Sequence, residues 1–337
     1  MRNAVVLASV LGREIHIDRI RARRPSPGLR PQHLSCVNAC ACLCNAQVEG
    51  ATVNSTHVAY RPGSSLRGGR FEFDIGTAGS TTLVIASVLP LALFADGETR
   101  MKVSGGLFQD FAPSAHHMQH VLLPILSRMG VTASLRVVRP GYYPRGGGTL
   151  EVVIHPLGNC LRPLKLLDQG AVTHISSVAL ASHLRKQQVS QRMADGCREV
   201  LANSGYQAAF DIQYDDSAFQ AGASLGVWAE TDSGCLLGSD RAGKKGRRSE
   251  QIGESAARSL LDDLATGATV DRYLADQLVV YGALARGVTE YAVPCVTEHL
   301  EANLWLVRQF GVHAALDGNA VRIEGRGHLA SHSTRAR

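Results

Sequence analysis

Apolar residues recur along this chain with two periods, one helical and one that of a β-strand. Helical and strand-like segments alternate through the first half. We predict helices over residues 2–11, 31–45, 78–94 and 115–129, and strands over residues 14–20, 57–61, 70–75, 100–104, 134–139 and 149–154. Mixed elements in this order predict an α+β protein with its helices on one face of the sheets.

The pattern changes in the second half of the chain. We predict strands over 171–181 and 208–214 around a helix over 184–204, a hairpin turning at 231–233, a basic loop over 241–248 and a helix over 249–265. Mixed helix and strand signals return over 268–325. We therefore expect a smaller α/β domain over 168–266, and a disordered basic tail over 326–337.

Charge and composition favour anionic partners. The 337 residues carry a formal net charge of +6, and the sequence pI is about 9.0. Such a balance is typical of proteins that bind nucleotides or RNA, although it also serves solubility alone. Aromatic residues make up 5% of the chain, which weighs against extensive stacking of bases on aromatic side chains.

Targeting signals are weak. Residues 1–12 superficially resemble a short signal peptide, but no small-residue cleavage site precedes Arg13, so we do not expect export. The longest apolar stretch, 83–95, contains Pro90 and is too short to span a bilayer, so we expect no membrane partner. Scattered cysteines in a chain of this size favour a reducing, cytoplasmic setting.

Four of the eight cysteines cluster without Cys-x-x-Cys spacing. Cys36, Cys40 and Cys44 share one face of a predicted helix, with His33 one turn earlier. A metal site and a row of buried thiols are both compatible with this spacing. We favour buried thiols, because free cysteine usually behaves as a small apolar residue.

Residues 141–148 read Gly-Tyr-Tyr-Pro-Arg-Gly-Gly-Gly and suggest either a phosphate cradle or a hairpin turn. The Arg-Pro-Gly and Arg-Gly-Gly triplets at 139–141 and 145–147 recur with equal spacing at 61–63 and 67–69. Each copy runs into a predicted strand. The echo predicts a duplicated unit in which a strand follows a glycine turn, and it favours a turn over a cradle.

A basic loop precedes the second predicted helix. Residues 20–33 contain no acidic residue, and they include Arg21, Arg23, Arg24 and Arg30, followed by Gln32 and His33 at the helix start. Arginine forks and a helix N-terminus both favour phosphate, so an anion site is one interpretation. A solvated basic loop is the other.

Two further helix starts carry candidate side chains. Tyr273, Leu274, Ala275, Asp276 and Gln277 form one, where the polar members suit ribose, a base edge or a metal-bound water. His299 lies just before a predicted apolar helix over 304–310. A neutral imidazole is a nucleophile toward phosphorus, but a lone histidine at a helix start also serves as a structural hydrogen bonder.

Taken together and in order, these segments resemble the RNA 3′-terminal phosphate cyclase family. The resemblance covers about residues 2–325 and rests on segments 20–24, 27–34, 76–80, 103–106, 141–148, 273–278 and the surroundings of His299. It implies repeated βαβαββ units interrupted by a small inserted domain. The catalytic domain would then comprise 1–167 and 267–325, and the inserted domain 168–266.

The resemblance also implies a reaction. A histidine would attack the α-phosphate of ATP, AMP would pass to an RNA 3′-phosphate, and the neighbouring 2′-hydroxyl would close a 2′,3′-cyclic phosphate. ATP and a divalent metal, Mg²⁺ or Mn²⁺, would take part. By position, His299 matches the nucleophile, 273–277 match the nucleotide-binding segment, and four residues match those around the phosphates: Arg2, Arg21, Arg24 and Gln32.

The sequence departs from the family pattern at three places. A strand and a Glu-Gly-Gly-Gly-Gln segment precede the arginine equivalent to Arg2 in the family, whereas this sequence begins at Met1. We expect a start codon assigned too late rather than an impaired enzyme, because the other motifs are present. Ala86 replaces a glutamine near ATP, and Arg23 replaces a glycine. Non-catalytic RNA binding and transfer to a small phosphorylated metabolite are the competing functions.

Overall fold

Three stretches of the chain build sheets with a common strand order. The structure is a computed structural model, and it describes residues 1–110 and 112–330. The first unit comprises α1 (Arg2–Leu11), β1 (Ile15–Ile17), α2 (Pro31–Cys44), β2 (Gln47–Glu49) and β3 (Val58–Arg61). Its strands pair antiparallel in the order β1-β3-β2.

The second unit has one more strand. It comprises β4 (Gly69–Asp74), α3 (Thr81–Ala92), β5 (Thr99–Gly105), α4 (Ala115–His117), a π-helical turn (Met118–Leu122), α5 (Leu123–Arg128), β6 (Thr132–Arg139) and β7 (Gly148–His155). The sheet order is β4-β5-β7-β6, in which β4 and β5 are parallel and the other pairs antiparallel. The segment β5-β7-β6 therefore repeats the order of the first sheet.

A separate sheet interrupts the third unit. After β8 (Lys165–Leu166) the chain forms β9 (Val172–Ser182), α6 (Val189–Asn203), β10 (Ala209–Tyr214), β11 (Gly222–Thr231), β12 (Leu236–Ala242) and α7 (Ser249–Leu264). The strand order is β10-β9-β11-β12, and α6 packs against α7. We propose an inserted domain over 168–266, with a catalytic domain made of 1–167 and 267–325. The separate sheet formed by β9 to β12 is compatible with this division.

The third unit then resumes. It continues with α8 (Leu274–Leu284), β13 (Arg286–Ala292), α9 (Glu298–Gln309), β14 (His313–Asp317) and β15 (Ala320–Arg326). Its sheet order β8-β13-β15-β14 has one parallel pair followed by antiparallel pairs, as in the second unit. The repeated α+β fold predicted from the sequence is thus confirmed.

Burial explains why α3 is helical despite its β-branched residues. All but one of its residues are buried, and the Ser80 hydroxyl caps it by accepting from the Leu83 N–H at 3.2 Å. Burial of apolar area on most sides outweighs the weak intrinsic propensity. In the part of the chain that the structure describes, no helix is both long and apolar enough to cross a membrane.

Several sequence predictions need correction. The predicted helix over 184–204 begins only at Val189, and the short strands β2 and β8 went unpredicted because their apolar runs are too brief to show a period. The predicted tail over 326–337 begins too early, since Arg326 still pairs with Arg286 in the sheet. Residues 331–337 of that prediction lie outside the described residues.

The echo between the two glycine segments is not a mark of the repeat. Gly69 opens β4, the first strand of the second unit, whereas Gly148 opens β7, the last strand of the same unit. Strands β3 and β4 lie in different sheets, while β6 and β7 pair with each other. The same residue types recur because both connections need glycine backbone geometry: Gly69 has φ +138° and Gly146 has φ +68°.

Candidate functional site

The start of α1 brings together two residues that are far apart in sequence. Arg2 and Gln277 line one small cavity with Ala86 from α3 and Tyr281 from α8. The Tyr281 hydroxyl is buried and has no hydrogen-bond partner among the described residues. The cavity therefore joins the predicted arginine, the predicted amide and the alanine that departs from the family pattern.

A hydrogen-bonded chain links α1, α9 and α8. The Asn3 amide donates to Asn303 Oδ1 at 3.0 Å, and Asn303 Nδ2 donates to the Asp276 carbonyl at 3.1 Å and carboxylate at 3.2 Å. Burial raises the pKa of Asp276, while the charges of Arg2 and His299 act in the opposite direction. Arg2 and His299 are thus both close enough to this half-buried carboxylate for their charges to interact with it.

His299 lies in the first turn of α9 rather than before a helix. The helix spans Glu298–Gln309, so the predicted start at 304 is wrong. Thr297 is the N-cap, and its hydroxyl accepts from the Leu300 N–H at 3.1 Å. The capping hydrogen bond favours a helix that begins at Glu298, although the residues that follow the cap are polar. His299 itself is exposed, and no hydrogen-bond partner of its ring lies among the described residues, so the structural alternative has no support here.

A buried ion pair fixes the start of α8. The Asp271 carboxylate accepts from the N–H groups of Tyr273 and Leu274, both at 2.8 Å, and from that of Gly238 at 2.9 Å. His117 Nε2 lies 3.0 Å from the same carboxylate, and both side chains are almost fully buried. Burial alone would raise the pKa of Asp271 and lower that of His117, but the pair reverses both directions.

Sequence reasoning missed this pair. Asp271 carries a recognisable signal, since an aspartate at a helix start commonly accepts from backbone N–H groups two and three residues further along the chain. His117 carries none, because its partner is 154 positions away. Within the predicted segment, the side chains of Leu274 and Ala275 are buried in the core, so only Tyr273, Asp276 and Gln277 can offer side chains to a ligand.

The basic loop is ordered by one of its own arginines. Arg21 Nη1 donates to the carbonyls of Ser26 at 2.7 Å and Gly28 at 3.0 Å, while Arg24 is exposed. Partial burial lowers the pKa of Arg21, and the nearby charges of Arg30 and Arg24 lower it further. None of the three has a carboxylate within ion-pair distance in the described chain. The loop thus holds positive charge that an anion would neutralise.

The start of α2 joins this loop to α3. His33 Nδ1 accepts from the Arg30 N–H at 3.1 Å, and Gln32 Oε1 accepts from the Ser80 N–H at 3.1 Å. Burial, and then the charge of Arg21, lower the pKa of His33 to about 4. His33 is therefore neutral at pH 7, and the positive charge of this region resides on the arginines.

Five helix starts carry the candidate residues, and they fall into two groups. Hydrogen bonds connect α1, α8 and α9 through Asp276, and they connect the starts of α2 and α3 through Gln32. Helix N-termini present N–H groups and positive dipole ends, so this arrangement suits a polyphosphate anion.

A metal finds little support from protein ligands. Among residues 1–110 and 112–330, no group of three or more His, Cys, Asp or Glu side chains is placed to hold a metal ion. Cys36 and Cys40 are buried against α3, with Sγ atoms 3.6 Å from the Leu83 carbonyl and 3.7 Å from the Ser87 carbonyl. The buried-thiol alternative is therefore correct for the cysteine row, and no reaction step is assigned to a metal.

The glycine segment packs as a turn rather than around a ligand. A Cβ on Gly146 would lie 2.8 Å from the Ala78 Cα, and one on Gly147 would lie 2.3 Å from the Phe219 ring. The Gly146 N–H donates to the Tyr142 carbonyl at 2.7 Å, so it is not free for phosphate. Glycine is required because two other backbones and a ring come too close for a side chain.

The fold is a repeated α+β architecture, and its candidate site combines basic helix starts with an exposed histidine. A family model described as RNA 3′-terminal phosphate cyclase matches residues 1–315. This chain belongs to the RNA 3′-terminal phosphate cyclase family.

Relatives with that name come from archaea and bacteria. The chain is 37% identical over 310 residues to an RNA 3′-terminal phosphate cyclase of Pyrobaculum neutrophilum, covering 92% of this chain and 88% of the relative. For the protein of that name from Nitrosospira multiformis the identity is 37%, with 92% and 87% covered. A solved EPSP synthase of Acinetobacter baumannii matches 98% of this chain and 64% of its own length at 11% identity. The TM-score of this match is 0.25.

Proposed function

We propose that this protein is a ligase-class enzyme that uses ATP to convert an RNA 3′-terminal phosphate to a 2′,3′-cyclic phosphodiester through a covalent histidine–AMP intermediate. Family membership supports the overall reaction. The observation that carries the mechanism is the exposed imidazole of His299 in the first turn of α9, close enough to Asp276 for the two charges to interact.

In the first step, the lone pair of a ring nitrogen of His299 attacks the α-phosphorus of ATP. A P–N bond forms, the P–O bond to the β-phosphate breaks, and pyrophosphate leaves. Arg2, Arg21 and Arg24, together with the N–H groups of the helix starts, stabilise the negative charge that develops on the phosphates. The Asp276 carboxylate has the same sign of charge as the phosphates and would repel them. Its hydrogen bonds with Asn303 hold this side chain in place.

In the second step, an oxygen of the RNA 3′-phosphate attacks the phosphorus of the histidine–AMP. The P–N bond breaks and His299 is released as a free imidazole, which leaves RNA joined to AMP through a pyrophosphate. In the third step, the adjacent 2′-hydroxyl attacks the 3′-phosphorus, loses its proton, and expels AMP. Gln32 and Arg21, whose side chains contact the Ser80 N–H and the Ser26 carbonyl, would hold the terminal phosphate during both steps.

A catalytically impaired or non-catalytic RNA-binding protein is the alternative. It would account equally well for the basic loop, but it gives no role to an exposed imidazole at the start of α9. ATP and an RNA 3′-phosphate end are the partners of the proposed enzyme, and Mg²⁺ or Mn²⁺ stays a prediction from the family.

Covalent labelling tests the proposal. The protein is incubated without RNA, with Mg²⁺ or Mn²⁺ and ATP labelled at the α-phosphate, and then denatured. We expect a label that survives denaturation in the wild type, disappears in His299→Ala, and persists in His313→Ala, a matched exposed histidine on β14. Absence of label in the wild type with either ion would favour the non-catalytic alternative.

A further inference from the structure

An exposed aromatic ring and two arginines lie where the glycine segment meets the inserted sheet. We call this the hairpin surface, and it comprises Arg139, Tyr143, Arg145 and Phe219. Tyr143 is 79% exposed and Phe219 is 56% exposed, although phenylalanine is among the residue types most often buried. Exposed aromatic residues beside arginines commonly mark binding sites.

Two parts of the chain build the hairpin surface. Phe219 comes from the connection between β10 and β11, and its carbonyl accepts from Arg145 Nη1 at 3.4 Å. The Arg139 guanidinium lies 4.0 Å above the centre of the Phe219 ring, and its Nε donates to the Gly147 carbonyl at 2.8 Å. The inserted segment therefore holds both arginines in place through Phe219.

Tyr143 is the ring available for stacking. Arg139 covers one face of Phe219, and the same ring lies against Gly147. Tyr143 has no ring contact of this kind among the described residues, so its faces are open to solvent. A planar ligand would find its free aromatic face here on Tyr143.

The charge of the surface suits a polyanion. Neither Arg139 nor Arg145 has a carboxylate partner in the described chain. Asp215 and Asp216, in the same β10–β11 connection as Phe219, accept from the backbone N–H groups of Ser217 and His183, respectively. The guanidinium edges are thus left with donors that a phosphodiester can use.

The hairpin surface continues into the candidate site. Gly146 packs against Thr77 and Ala78, and two residues further along the same loop the Ser80 N–H is bound by Gln32. Gln32 begins α2, beside the basic loop. A strand whose terminal phosphate lies at Gln32 would therefore pass the hairpin surface within a few nucleotides.

We propose that the hairpin surface binds the single-stranded RNA nucleotides just upstream of the 3′-terminal phosphate, with a base stacked on Tyr143 and phosphodiesters held by Arg139 and Arg145. This inference rests on the proposed function and gives the inserted segment a part in substrate binding. Stacking on one ring is sequence-tolerant, so the surface would accept any base.

Direct binding tests the proposal without requiring catalysis. The probe is a fluorescein-labelled single-stranded RNA 10-mer with a 3′-phosphate, and fluorescence anisotropy is measured without ATP. We expect Tyr143→Ala to weaken binding by about 5- to 150-fold, the range for loss of one stacked base. Tyr143→Phe keeps the ring and should stay within about 2-fold of the wild type.

The arginine arm uses a matched control. Arg145→Ala should weaken binding and reduce the slope of log affinity against log salt by about 0.7, the value for one phosphate contact on a single strand. Arg198→Ala removes an exposed arginine on α6, where it pairs with Asp195, and should change neither quantity.

Several results would overturn the proposal. Binding by Tyr143→Ala within 2-fold of the wild type, or an equal loss in Tyr143→Phe, would remove the stacking role. A second contrary result combines two measurements. If the RNA bound the wild type and Arg145→Ala equally, and an acidic peptide competed with it only on the wild type, the surface would be assigned to a protein partner. Covalent labelling of His299 with ATP and Mg²⁺ or Mn²⁺, in the absence of RNA, reports the proposed function separately, so the two failures are distinguishable.

Discussion

The second and third units place a histidine at the same position of equivalent helices, with opposite results. Ser114 caps α4 and Thr297 caps α9, and the second residue of each helix is His116 or His299. His116 is 5% exposed, and its ring lies 4.8 Å from that of Phe108. His299 is exposed. The repeated fold supplies the position, and the surroundings decide whether it is available for chemistry.

The inserted sheet accounts for much of the difference. A Cβ on Gly226 of β11 would lie 2.9 Å from the His116 Cβ, so this strand packs directly on the second-unit helix. Burial lowers the pKa of His116 to about 3, and its Nε2 has no partner among the described residues. In the first unit the same helix position holds Gln32, which binds the α3 start. The same helix position is thus occupied by Gln32, which anchors α3, in the first unit, by the buried His116 in the second, and by the proposed nucleophile His299 in the third.

The largest expected effect separates the two histidines by activity. His299→Ala should reduce kcat for cyclisation of a 3′-phosphorylated RNA by at least about 10³-fold, because it removes the proposed nucleophile. His116→Gln should keep activity per folded molecule within about threefold, since its ring is away from solvent. Steady-state kinetics on protein checked by circular dichroism measures both. Equal losses would mean that exposure does not distinguish the two positions.

The next residue along α4 connects the units, and its loss should cost stability. His117→Leu leaves the Asp271 carboxylate buried without its cationic partner, so we expect the free energy of unfolding to fall by about 3–5 kcal/mol. Urea denaturation measures this change. The double variant His117→Leu with Asp271→Asn should recover part of the loss. A double variant no better than the single one would show that the pair is not coupled.

The buried histidine should also make stability depend on pH. The pKa of His116 is lowered from its ordinary 6.5 to about 3, so the unfolded chain takes up a proton before the folded one does. Its stabilising contribution is complete above 6.5 and is lost as the pH falls toward 3, at up to about 1.4 kcal/mol per pH unit. His116→Gln should reduce this slope by about one proton in urea titrations. An unchanged slope would mean that the pH dependence of stability comes from His33 or from carboxylates and not from His116.

The helix caps provide the smallest and most symmetrical contrast. Ser114→Ala and Thr297→Ala should each lower the free energy of unfolding by about 1 kcal/mol, because each removes one capping hydrogen bond. Only Thr297→Ala should also lower the rate of covalent labelling, since that cap orients the turn carrying His299. Thermal unfolding and the labelling time course test these expectations together. Equal labelling rates would mean that His299 needs no such support.

Much of the fold followed from local pattern. The bounds of α2, α7 and β9 agree closely with periodicity, because their apolar faces are long enough to show a period. The strands β2 and β8 were not predictable, since two or three residues establish no period. The glycine echo misled because glycine reports local backbone needs and not the place of a turn in a repeat.

The candidate site was predictable in composition but not in geometry. Motifs in family order named Arg2, Asp276 and His299, yet only the structure showed that Asn3 and Asn303 link their helices through Asp276. Motif-based prediction identifies residues that share a pattern along the chain. It gives no sign of a hydrogen bond between positions 300 residues apart.

The sequence by itself determined the α+β class, the helix and strand periods, the basic charge and the motifs that identify the family. Tertiary structure alone decided that His299 is exposed while His116 is buried, that Asp271 is paired with His117, and that the glycine segment packs under Phe219. The physical reason is that periodicity depends on neighbours along the chain, whereas exposure, charge coupling and close backbone approach depend on neighbours in space.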